Sequence, residues 1–174
     1  VDSLFLFFLL LSVYLLRFQR GALSLVAAGA CAAMAYLSKQ TALPIALPMV
    51  IYSLLVLQGW RKLVFTLTAL VITGLVVAVW DRWSDGWYLF HTWQLPRQLT
   101  HIRQGHHLAD FWWRDILRQV PVAFGLSLFY LLHIFRSTRY RLFAFYFFFF
   151  SGMLGASWFV RIYFAGYDNV LFPL

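Results

Sequence analysis

Cysteine is nearly absent from this chain. Cys31 is the only one among 174 residues, so no intramolecular disulfide can form and no redox compartment follows from cysteine usage. It sits in the small-residue run from Ala27 to Ala33, where its expected role is packing. Charge is also scarce: charged residues make up 11% of the chain, against about a quarter in soluble domains. Hydrophobic residues reach 63% and the mean hydropathy is +0.76, which excludes an ordinary soluble domain and indicates an integral membrane protein. Carboxylates are rarer still, 6 against 14 lysines and arginines, giving a net charge of +8 and a pI near 10.1. The cations are scattered between apolar runs instead of forming a stripe, so membrane lipid, and not nucleic acid, is the expected partner.

Several catalytic signatures are missing. There is no glycine-rich phosphate loop, no Gly-x-Ser-x-Gly elbow, no Cys-x-x-Cys pair and no His-Glu-x-x-His spacing. The adjacent His106 and His107, with His101 and Asp110, do not have a metal-ligand spacing, so no metal and no cofactor are expected. No basic leader with a cleavage site opens the chain at Val1-Asp2-Ser3. Both ends fall where a span is starting, and the sequence reads as an internal piece of a longer polypeptide.

What is present is a series of apolar runs. Their pattern predicts an all-α, polytopic transmembrane helix bundle of about six spans plus the start of a seventh, forming one domain over residues 1–174. The expected spans are Ser3 to Leu16, Gly21 to Leu37, Ala42 to Leu57, Leu63 to Trp80, Val120 to Phe135 and Leu142 to Val160. Pro44 falls in a first turn, where a missing N–H costs little, and Pro48 one turn later is a kink site. The phenylalanine run Phe143 to Phe150 reads as lipid-facing bulk.

The longest polar region, Asp81 to Gln119, is expected to be one outer loop carrying interfacial amphipathic helices. Trp83, Trp87 and Phe90 have helical spacing, and Phe111-Trp112-Trp113 marks a second such segment. Its tryptophans fit an interfacial belt, or aromatic faces that stack on sugar rings.

Charge sets an orientation. Arg17, Arg20, Arg61, Lys62, Arg136, Arg139 and Arg141 occupy short loops on one side with no carboxylate among them, the signature of a cytoplasmic face. The other side carries the Leu37-Ser38-Lys39-Gln40-Thr41 turn, the long loop and the segment from Arg161 to Asn169, and is expected to face the periplasm or exterior. An integral membrane protein with its short basic loops in the cytoplasm and its other loops on one outer face, periplasmic or luminal, is the expected arrangement.

On that outer side Lys39 and Arg161 stand where a lipid phosphate headgroup lies. Their side chains can pair with phosphate oxygens there, or Lys39 can anchor a helix end by snorkelling. Asp2 and Asp168 can act as base or as hydrogen-bonding partners for a sugar. Either can instead pair with Arg161 or cap a helix, and Asp168-Asn169 before Val170 is itself a helix-start signal.

Three segments then resemble a known family: Val1-Asp2-Ser3-Leu4, Leu37-Ser38-Lys39-Gln40-Thr41-Ala42-Leu43 and Gly166-Tyr167-Asp168-Asn169-Val170-Leu171. Together they resemble bacterial polytopic glycosyltransferases of the GT-C class, in particular the family 39 and dolichyl-phosphate-mannose-type mannosyltransferases and the lipid A 4-amino-arabinose transferases. The resemblance implies an enzyme that moves a sugar from a polyprenyl-phosphate donor to a lipid or glycan acceptor on the outer face, with inversion. It also implies a catalytic aspartate upstream of Val1, so the catalytic residue is not identified within this chain. Lys39 resembles the lysine facing the donor phosphate, with Gln40 beside it and Arg161 opposite. Asp2, Tyr167, Asp168 and Asn169 are implied to line the cavity. A flippase or transporter for lipid-linked sugars needs the same cations, and a non-catalytic membrane subunit needs neither.

Overall fold

A computed structural model describes residues 2–18, 21–95, 107–137 and 139–162, and every regular element in it is helical. Helix α1 (Asp2–Phe18) turns back into α2 (Ala22–Ser38), and a single 3₁₀ turn, Gln40–Ala42, leads from α2 into α3 (Leu43–Val56). Helix α4 (Arg61–Trp83) is the first long one. After it come a short turn α5 (Trp87–Leu89), widened over Phe90–Gln94, and α6 (His107–Asp110), widened over Phe111–Leu117. The hairpin of α7 (Pro121–Arg136) and α8 (Tyr140–Ile162) completes the described chain.

Two of these helices, α4 and α8, are long and apolar enough to cross a membrane. The Phe111–Leu117 segment and α7 add a third if that pair, bent by 96°, counts as one broken span. The bend falls where the chain must change direction: Val120 precedes a proline and leaves the helical region at φ −131°, and Pro121 opens α7 where its missing N–H is harmless. Helices α1, α2 and α3 are apolar but have 17, 17 and 14 residues. At 1.5 Å per residue the longest of these reaches about 25 Å, short of the roughly 30 Å hydrocarbon layer.

The helices alternate in direction, and two apolar clusters mark the two ends of the bundle. At one end, Leu16, Leu25, Val56, Phe65 and Phe145 pack together, joining the end of α1, the start of α2, the end of α3 and the starts of α4 and α8. Arg17, Arg61, Lys62, Arg139 and Arg141 belong to these same helix ends. The Arg17 guanidinium lies 5.2 Å from the Phe18 ring centroid and 5.9 Å from that of Phe145, which stabilises a cation beside an apolar core. At the other end, Phe5, Leu9, Ala35, Ala42, Ile45, Met153 and Ala156 form the second cluster.

Small residues let the backbones approach. A Cβ added to Gly29 of α2 would stand 2.7 Å from the Phe65 carbonyl oxygen and 2.9 Å from Thr68 Cβ of α4. One added to Gly152 of α8 would stand 2.9 Å from Ile45 Cα of α3. Hydroxyls supply the buried polar links: Ser12 Oγ donates to the Ala28 carbonyl at 2.8 Å, and Ser53 Oγ and Thr66 Oγ1 share a hydrogen bond of 3.0 Å between α3 and α4. Breaking one such link is worth about 0.5–2 kcal/mol in an apolar surround.

The phenylalanine run differs from its expected role. Phe145 is 1% exposed and meets the Tyr52 ring edge-on at 5.2 Å, and Phe148 and Phe149 also pack inward. Phe147 is the one that stands out, at 45% exposure. A run of like residues carries no periodicity from which to read a buried face. Here the phase of α8 is set by the close approach at Gly152.

Candidate functional site

The second cluster lies beneath the end of the bundle where the sequence places its chemistry. Phe5 lies one turn inside the start of α1, Ala35 and Ala42 flank the Lys39 turn, and Ala156 lies just over one turn before Arg161. The start of α1, the turn between α2 and α3, and the last turn of α8 therefore meet at one end. Asp2, Lys39, Gln40 and Arg161 are the charged and amide residues these three backbone sites carry. The side chains of Asp2 and Arg161 lie outside the described part of the structure, as do Tyr167, Asp168 and Asn169 altogether.

Lys39 ends α2 in an extended conformation, with φ −156° and ψ 123°, and is half-buried. Its N–H donates to the Ala35 carbonyl at 3.0 Å, closing α2, and its carbonyl accepts from the Ala42 N–H at 3.0 Å, opening the next turn. From Gln40 the helical path continues to Val56, so Lys39 is the N-cap of a second helical segment. Lysine has no acceptor to offer the first N–H groups of that segment, and none of its side-chain atoms caps them. An ammonium beside a helix N-terminus makes an anion-attracting corner. Gln40, the next residue, is exposed at the same corner.

Two parts of the long polar region reach back to this end. Phe111, 3% exposed, meets Trp158 of α8 edge-on at 5.2 Å, and Trp112 meets Phe124 of α7 at 5.9 Å. On the other flank Tyr88 approaches Tyr36 of α2. Burial pushes the Tyr88 phenol above its ordinary range, and the neighbouring Tyr36 phenol adds to the shift.

The turn that delivers Tyr88 is built from Asp81 to Gly86. It corrects the expected amphipathic helix through Trp83, Trp87 and Phe90: Trp83 belongs to α4, where it stacks on Trp80 at 5.7 Å, and the helix breaks before Trp87. Asp85 and Gly86 adopt φ of 50° and 84°, the left-handed conformation that ends a helix, and the Asp-Gly pair is the sequence signal for it. Ser84 Oγ accepts the Tyr88 N–H at 3.0 Å and Asp81 Oδ1 accepts the Leu89 N–H at 2.9 Å, so the new turn is capped by side chains of the helix before it. Ser84→Ala removes one of these caps and is expected to cost about 1 kcal/mol. Thermal unfolding of the variant checks this, and an unchanged midpoint would show the cap to be idle.

Along the same turn runs an open groove of about 790 Å³, lined by Gly74, Val77, Ala78, Asp81, Arg82 and Asp85 with Gly86 and Leu89. A smaller hollow of about 290 Å³ adjoins it at Asp85, Trp87, Phe90 and Gln94. Neither hollow was among the sequence-based candidates, since each is made by the reversal at Asp85-Gly86. Among the described residues no group of three or more His, Cys, Asp or Glu side chains could hold a metal ion. Compared with known protein families, with characterised proteins and with solved structures, the chain matches none.

Proposed function

We propose that this chain is part of a membrane glycosyltransferase that moves a sugar from a polyprenyl-phosphate donor to a lipid or glycan acceptor at the outer face of a bacterial inner membrane. The observation that carries the reading is the position of Lys39: a half-buried lysine at the N-terminus of a helical segment, on the bundle end where the first and last described helices also terminate. An ammonium and the first N–H groups of a helical segment at an interface suit a phosphate whose lipid tail remains in the bilayer.

In this reading the chain crosses the membrane about six times, with the short helices α1 to α3 spanning by local thinning or within a larger bundle. The basic end faces the cytoplasm and the long loop, Asp81 to Gln119, covers the outer end. The acceptor hydroxyl loses its proton to an aspartate upstream of Val1, and its oxygen forms a bond to the anomeric carbon. The bond from that carbon to the phosphate oxygen breaks, its electron pair going to the phosphate. Lys39, with Arg161 opposite, stabilises the charge that grows there. Gln40, Asp2, Tyr167, Asp168 and Asn169 line the sugar's side of the cavity.

The test is sugar transfer in inverted and right-side-out vesicles from cells making the polypeptide as the cell produces it. Labelled polyprenyl-phosphate sugars are offered in parallel with nucleotide sugars. The expected result is transfer from the lipid-linked donor alone. Transfer from a nucleotide sugar would remove the donor assignment, and label that crosses the bilayer without changing its covalent carrier would support a flippase instead.

A further inference from the structure

The groove along the outer half of α4 is independent of the Lys39 corner and has its own chemistry. We propose that it binds a phospholipid with a primary-ammonium headgroup, of the phosphatidylethanolamine type. The inference rests on α4 lying in a membrane and not on the transferase reading.

Depth is the first argument. Helix α4 has a mean hydropathy of 2.4 over its most apolar stretch, of which 11% is buried inside the protein, so the side turned away from α2 and α3 faces the surrounding medium. Trp80 and Trp83, 53% and 78% exposed, mark its interfacial end. Gly74 lies seven residues before Asp81, about 10 Å deeper into the hydrocarbon. The groove therefore runs from the headgroup level down into the acyl region. Its lower part is Gly74, Val77 and Ala78, and nothing stands within 4 Å of where a Gly74 Cβ would be, which leaves room for a chain to lie against the helix.

Charge is the second. The upper part carries two carboxylates, Asp81 and Asp85, and one guanidinium, Arg82. Arg82 matches a phosphodiester, and the carboxylates match an ammonium that donates hydrogen bonds. Asp81 is held in position by the Leu89 N–H on Oδ1, which leaves its second oxygen for such a donor. An anionic headgroup meets two negative charges against one positive and is disfavoured. A quaternary ammonium has no N–H to donate and favours aromatic faces, and among the described residues no aromatic ring lines this groove.

The experiment is native mass spectrometry of the protein released from nanodiscs of equal parts phosphatidylethanolamine, phosphatidylcholine and phosphatidylglycerol. The expected result is retention of the ethanolamine lipid about tenfold above the other two. Asp85→Asn is expected to lower that preference about tenfold, and asparagine tolerates the left-handed φ at this position, so the turn is kept. Gly74→Leu, which fills the floor while improving helix propensity, is expected to reduce retention of the ethanolamine lipid by a similar factor. Equal retention of the three lipids, a preference for another headgroup, or retention unmoved by both substitutions would overturn the proposal. Lipid retention is read without any sugar transfer, so failure here leaves the transferase reading standing, and the reverse holds.

Discussion

Lys39→Ala is expected to lower sugar transfer from a polyprenyl-phosphate donor by about a hundredfold or more, mainly through kcat. In the proposed reaction charge develops on the phosphate as the bond to the sugar breaks, and an ammonium at a partly dry interface would stabilise the transition state more than the ground state. Lys39→Arg is expected to recover part of the rate, since the charge remains while its position and shape change. The backbone hydrogen bonds that Lys39 makes to Ala35 and Ala42 do not involve the side chain, so the turn itself is kept in both variants. Transfer rates, normalised to the amount of inserted protein, check this. An unchanged rate in Lys39→Ala would reduce Lys39 to a snorkelling anchor.

Gly152→Val is the structural substitution expected to have the largest effect. A Cβ at Gly152 would lie 2.9 Å from Ile45 Cα, 3.2 Å from the Pro44 carbonyl oxygen and 3.3 Å from that of Ile45. All three are backbone atoms of the segment that follows Lys39, and backbone cannot swing aside as a side chain can. The helices must separate, at a cost of about 3 kcal/mol. That separation also opens the apolar cluster beneath the Lys39 turn, so loss of stability and loss of transfer are expected together. Gly155→Ala is the control: its Cβ would find Pro44 Cβ at 4.0 Å, an ordinary contact. Thermal unfolding in detergent should drop for Gly152→Val and hold or rise slightly for Gly155→Ala, whose alanine favours the helix. Equal behaviour of the two would mean that α3 and α8 are not held as closely as described.

The apolar runs and their breaks were legible because each break carries its own signal. Gly21, the Lys39 turn, Trp60-Arg61 and Pro121 all fall at the ends of the helices that form. Lys39 and Gln40 could be singled out from sequence because a charge between two apolar runs is rare and costly. Meeting of the first and last described helices at this corner is a property of alternating helix directions, which follows from short connections. The inward face of Phe143 to Phe150 was not legible, since seven aromatic side chains in eight positions look alike at every phase. It is fixed by Gly152, whose importance depends on a partner more than a hundred residues away in the chain. The groove on α4 was hidden for a related reason. Its walls belong to two helices, and only the reversal at Asp85-Gly86 folds the second back along the first.

The most direct measurement is labelling by a membrane-impermeant thiol reagent in right-side-out vesicles. It uses the chain with Cys31→Ala and a single new cysteine at Gln40→Cys or at Gln58→Cys. Both positions are exposed, the first in the Lys39 turn and the second in the connection between α3 and α4 at the basic end. Labelling of Gln40→Cys from outside, with Gln58→Cys labelled only after the vesicles are opened, is the expected result. Equal labelling of the two in intact vesicles, or the opposite order, would contradict a bundle whose polar Lys39 end faces outward.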